Sequence, residues 1–161
     1  MTMSKNHIRR LGNEQGFTLI ELLVVVLIIG ILAAIAIPSF LSQKTKASDA
    51  SAKELARTAQ TTAETYATDH SGGYGSMSTT ELNSYEPSIK LCAGKPASSF
   101  NEACLKAVNV PAGSETGTSS YEVETEATGG DTFKVIRKGN GTVERKCVPA
   151  TGSKGCSTGS W

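Results

Sequence analysis

Residues 16–37 read GFTLIELLVVVLIIGILAAIAI, and this stretch decides the fold. One carboxylate, Glu21, stands near its start, and no side chain from residue 22 to residue 41 carries a charge. A bilayer span takes roughly 20 apolar residues at about 1.5 Å each, so residues 17–41 qualify. In lipid, a helix is the only way for a single segment to satisfy its own backbone. An ionisable group inside such a segment is costly to bury and marks a functional site. Ahead of the apolar run lies a polar, basic leader, MTMSKNHIRRLGNEQG, with Lys5, Arg9 and Arg10 against one acid, Glu14.

An ordinary secretory signal carries its apolar core before the cleavage site and loses it with the signal. Here the order is reversed. A cut between Gly16 and Phe17 would leave the apolar helix with the mature protein. Lysine and arginine beside a span resist translocation, so the leader is expected to stay cytoplasmic and the cut to fall on that face. An uncleaved signal anchor with an incidental glycine is the plainer alternative.

The basic leader, Gly16, Phe17 and a glutamate four residues past Phe17 together closely resemble the N-terminus of type IV pilins and their relatives. That resemblance is specific over the leader and first helix, about a quarter of the chain. It implies cleavage after Gly16 by a membrane prepilin peptidase, which also methylates the new amine of Phe17. It implies assembly into a helical homopolymer by a platform and motor at the inner membrane. In the fibre, Glu21 would meet the α-amine of Phe17 on a staggered neighbour. A tolerated interfacial acid without a partner is the alternative for Glu21. Gly30 and Pro38 weaken residues 30–38, because proline removes a backbone donor and clashes with the preceding turn, while glycine costs up to about 1 kcal/mol in a helix. In pilins the matching stretch loses helicity on assembly; a merely kinked helix fits this sequence equally well.

After Pro38 the helix is expected to continue. Ala52, Leu55, Ala59, Ala63 and Tyr66 recur at spacings of three and four and form one apolar stripe, suited to a sheet. Ser71, Gly72 and Gly73 should stop it. From residue 17 to residue 70 such a helix would run roughly 80 Å, far too long for a small globular domain and natural for a polymerisation rod. Residues 72–120 look irregular, rich in Gly, Ser, Thr and Pro, with room for a short helix over residues 98–108. Three strands follow. Tyr121, Val123 and Thr125 alternate with Glu122, Glu124 and Glu126; Phe133 and Val135 flank Lys134; residues 142–148 supply the third. Residues 129–131 make one turn, and residues 138–141, with an Asn-Gly pair, make another. The expected fold is α+β and type IV pilin-like: a long N-terminal helix, half transmembrane and half amphipathic, packed on a small antiparallel meander. Its divisions are a leader (1–16), a transmembrane and assembly helix (17–41), an amphipathic helical half (42–71) and a globular head (72–161).

Of 161 residues, about 120 remain for the head, enough for one small domain. The formal charge is +1, and removing the leader's +2 leaves −1, a balance with no strong pull toward nucleic acid. So small a core often needs covalent help. Cys92, Cys104, Cys147 and Cys156 fall as C-x11-C and C-x8-C, unlike zinc knuckles, and export favours oxidation. Three pairings are open; Cys92 with Cys104 and Cys147 with Cys156 are preferred because each closes a short loop.

No phosphate-binding loop or metal-ligand cluster stands out, and adjacent Asp69, His70 and Ser71 point in different directions on a helix. No enzyme activity, cofactor or metal is expected. The function read here is the structural subunit of a type IV pilus, held in the cytoplasmic membrane before assembly and in an extracellular filament afterwards. One alternative is a pseudopilin of a type II secretion system. Major pseudopilins bind calcium through acidic C-terminal loops, whereas VPATGSKGCSTGSW (residues 148–161) has no Asp or Glu. Another is a minor pilin for adhesion or DNA uptake, for which Lys134, Arg137, Lys138, Arg145 and Lys146 could supply phosphate contacts. They lack an interleaved aromatic platform, so a solvated face balanced by Glu122, Glu124 and Glu126 is the preferred reading.

Overall fold

The computed structural model describes residues 16–111, 120–149, 156 and 159–161. The basic leader up to residue 15, the turn-rich run after Pro111 and most of the cysteine-bracketed tail lie outside the described residues. By internal contacts the chain divides into two compact units, Met1–Ser39 and Phe40–Trp161.

Helix α1 spans Leu19–Asp69. Its C-terminus has a clear cause. Ser71 and Gly72 take positive φ of 55° and 86°, and the Gly72 N–H donates to the Ala67 carbonyl at 2.7 Å. This left-handed cap satisfies an orphan carbonyl and ends the helix at the Ser-Gly-Gly run. The helix continues through Pro38 rather than ending there. Because proline has no N–H, the Ala34 carbonyl lacks its usual donor at that point.

The second unit is built on the alanine face of α1. Ala52, Ala56, Ala59 and Ala63 are fully buried, with Tyr66 and Ala67 beside them. Such small side chains let a sheet approach the helix closely. That sheet has four strands, β1 (Cys104–Asn109), β2 (Tyr121–Glu126), β3 (Thr132–Arg137) and β4 (Val143–Val148), in the order β1-β2-β3-β4 and antiparallel throughout. The α+β arrangement of a long helix on an antiparallel meander is as expected. Tyr121, Val123, Thr125, Phe133 and Val135 are all buried, as the alternation in β2 and β3 requires. In the β3–β4 turn Gly141 has φ 83°, and Asn140 Oδ1 accepts from the Thr142 N–H at 3.0 Å.

Two expectations for residues 72–120 need correction. Residues 98–108 do not form a helix: a single 3-10 turn covers Ala97–Ser99, a turn follows, and β1 begins at Cys104. The cause is tertiary. Cys104 is bonded to Cys92, Leu105 is buried, and the Leu105 N–H donates to the Lys90 carbonyl at 2.7 Å, so long-range partners claim this backbone. The meander therefore has four strands, with an irregular register between Leu105 and Ala107. The stretch also holds a second helix, α2 (Thr79–Tyr85), whose N-cap Ser78 accepts from the Glu81 N–H at 3.2 Å. Leu82 on α2 is fully buried in the core.

Candidate functional site

At the start of α1, Thr18 and Glu21 cap each other. The Glu21 N–H donates to Thr18 Oγ1 at 3.2 Å, while the Thr18 N–H and hydroxyl donate to Glu21 Oε2 at 2.8 and 2.7 Å. Thr18 and the glutamate three residues on thus form a reciprocal capping box. Spacing alone explains it, since Glu21 falls on the third residue of the helix and reaches back over its first turn. The arrangement gives the one acid of the apolar segment two local donors. Oε1 accepts nothing among the described residues.

From Leu22 to Leu41 the helix carries no charge and is apolar all round, and its large apolar side chains are exposed. Phe17 is 89% accessible, and Leu19, Leu27, Ile35 and Phe40 are each more than half exposed. An all-round apolar helix has no polar face to turn to water, so it needs lipid or other chains around it. It is long and apolar enough to cross a membrane. At Gly16 and Gly30 a Cβ would meet no atom within 4 Å among the described residues, so packing against them does not require glycine at either position.

The cysteines are joined as Cys92–Cys104 and Cys147–Cys156, with Cα separations of 5.0 and 5.8 Å. The second bridge lies in a small cluster with Ala52, Ala127 and Phe133, against which Trp161 packs. Trp161 meets the Phe133 ring edge-on, donates its indole N–H to the Lys146 carbonyl at 2.9 Å, and lies within cation–π range of Arg57 and Arg145. Replacing Cys147 and Cys156 together by serine should cost about 3 kcal/mol and lower the melting temperature by roughly 10 °C. Thermal denaturation under non-reducing conditions checks this; an unchanged midpoint would show that the bridge adds nothing to stability.

The five basic residues weighed as a phosphate-binding patch are engaged within the fold. Lys134 contacts Glu122 and Glu124 at 2.7 and 2.8 Å, Arg137 contacts Glu64 at 3.1 Å, and Lys138 and Lys146 both reach Glu144. Arg145 donates to Gln60 Oε1 at 3.3 Å. The Lys134–Glu122 contact pushes the ammonium pKa up. Sequence reasoning missed the hub on Glu64, which accepts from the Tyr74 and Tyr121 hydroxyls at 2.7 and 2.9 Å as well as from Arg137. It also missed Asp49 and Asp131, both buried. Helical periodicity could have flagged Asp49, which lies three residues before Ala52 on the alanine face. His70 stacks on Tyr66 with ring centroids 3.9 Å apart, in a structural role. No group of three or more candidate metal ligands occurs among the described residues.

Comparison with known proteins bears on the N-terminal segment. A family profile described as the prokaryotic N-terminal methylation motif matches residues 11–37. Over 40 residues, 25% of this chain, the sequence is 58% identical to the type IV major pilin protein PilA of Myxococcus xanthus (strain DK1622). The match spans 18% of that relative's length. No solved structure matches the chain. The N-terminal segment of this chain is thus a type IV pilin-like methylation motif leading into an apolar helix.

Proposed function

We propose that this chain is the structural subunit of a type IV pilus. Residues 1–16 are a leader, removed between Gly16 and Phe17 by prepilin peptidase, which also methylates the Phe17 amine. Residues 17–41 hold the subunit in the cytoplasmic membrane as a single span and later pack in the filament core. Residues 42–71 support the head of residues 72–161. Partners are further copies of the same chain, the peptidase, and the assembly platform and motor. The assembled product is an extracellular filament.

The observation that carries this reading is the exposed apolar helix of α1, headed by the Thr18–Glu21 box, within a segment matching a methylation motif and a major pilin. Filament formation follows physically. Once drawn from lipid, such helices can escape water only by bundling. The capping box lets Glu21 enter the membrane with local partners, and the α-amine of Phe17 on a neighbouring chain then supplies its counter-charge. Gly30 and Pro38 are where the helix would give way on assembly, since one carries no side chain and the other breaks the hydrogen-bond ladder. Engagement of Lys134, Arg137, Lys138 and Lys146 with carboxylates supports a structural role over nucleic-acid capture.

Electron microscopy of a deletion strain, with and without the gene restored, tests the proposal. Thin surface fibres should vanish on deletion and return on complementation. Undiminished fibres in the deletion strain would rule out the role of major subunit.

A further inference from the structure

Asp49 of α1 is 2% exposed, Asp131 at the end of the β2–β3 turn is fully buried, and neither Asp49 oxygen has a hydrogen-bond partner when both acids are ionised. Around them the turn is tied to the helix. Ser48 Oγ lies 2.6 Å from Thr128 Oγ1 and accepts from the Thr128 N–H at 2.9 Å, and Thr125 Oγ1 donates to the Ala52 carbonyl at 2.9 Å. The turn closes on itself through the Ala127 N–H to the Asp131 carbonyl and the Gly130 N–H to the Ala127 carbonyl, each at 2.8 Å. An orphaned carboxylate in this buried contact would be expensive.

The buried Asp49 carboxyl lies within side-chain hydrogen-bond reach of Asp131, and two such carboxyls cannot both ionise; one keeps its proton and donates to the other. We propose that Asp49 and Asp131 share one proton, and that this acid–carboxylate hydrogen bond is a pH-sensitive latch fastening residues 127–131 to α1. The groups that bear on Asp49 are Asp131 from the turn and Lys53 one helical turn on. Lys53 favours the ionised form but is also engaged over the Phe133 ring, 5.1 Å from its centroid. Burial, then the charge of Asp131, raises the Asp49 pKa to about 6. Because the folded state holds the proton more tightly than the unfolded chain, the latch contributes fully below about pH 4. Its contribution is lost as pH rises through about 6.

The test uses the full chain in detergent micelles, without divalent cations. In the wild type, amide protection of Thr128 and Gly130, corrected for intrinsic exchange, should fall about tenfold or more from pH 5 to pH 8. Asp49→Asn supplies a permanent amide donor to Asp131, so it should match the wild type at pH 5 and keep its protection at pH 8. Asp131→Asn gives the same readout from the other side should the first variant fail to fold. Equal pH slopes in wild type and variants would overturn the proposal. So would failure of both variants to fold at pH 5, because an amide preserves the same hydrogen bond. Restoration of wild-type protection at pH 8 by calcium chloride would also overturn it, by showing that the acids hold a cation.

Discussion

Glu21→Ala is expected to yield a processed, membrane-held subunit that forms few or no fibres. Glu21 belongs to the Met1–Ser39 unit and its hydrogen bonds are to Thr18, so the head should fold unchanged. In the membrane, losing a carboxylate makes insertion easier, by up to about 3 kcal/mol at mid-bilayer and less near an interface. Loss of the Glu21 half of the capping box costs about 1 kcal/mol, too little to unfold a helix of 51 residues. In the fibre the balance reverses. The amine of a neighbouring Phe17 would be left unpaired among apolar helices, and truncating one side of a buried pair typically costs about 3–5 kcal/mol. Glu21→Gln separates the two roles, since its amide oxygen keeps a cap acceptor but carries no charge. Both variants should be present at wild-type levels by immunoblot and lack fibres by microscopy. Normal fibre numbers with Glu21→Ala would remove the electrostatic account of docking; fibres with Glu21→Gln alone would make capping the essential role.

Gly16→Val is expected to abolish processing. Among the described residues a Cβ at residue 16 meets no atom within 4 Å, so a clash with them does not account for the loss. Valine instead places a branched side chain beside the bond to be cut. The uncut chain keeps Lys5, Arg9 and Arg10 next to its span, and dragging those charges into an apolar bundle opposes extraction. Slow-migrating precursor in the membrane fraction and a bare cell surface are the expected results. Complete cleavage of the variant would show that the peptidase does not read the side chain at residue 16.

Much of the architecture was legible because its signals are local. The uncharged run, the Ala-Leu-Tyr stripe and the Ser-Gly-Gly stop define α1, and the alternation around Val123 and Phe133 marks the inner face of β2 and β3. Strand β1 was not legible, because CLKAVN has no clear alternation of its own and is claimed by pairing with β2 and by the bond to Cys92. Helix α2 did carry a local signal, Ser78 followed three residues later by Glu81, obscured by the surrounding glycines and serines. At the candidate site, the exposed apolar helix and its lone acid could be read directly, and the Thr18–Glu21 spacing already contained the capping box. Asp49 and Glu64 are different. Each is a polar residue in a polar stretch of helix, and its role appears only when Asp131 or Tyr121, some sixty to eighty residues later, is brought against it. Local patterning carries no record of such contacts.

The central claim is that the apolar helix, freed of its leader, is what holds subunits together in a fibre. Mass spectrometry of the N-terminal peptide from fibres sheared off the cell surface tests it most directly. The account predicts a chain beginning at N-methylated Phe17. Sheared fibres whose subunits still begin at Met1 would contradict it.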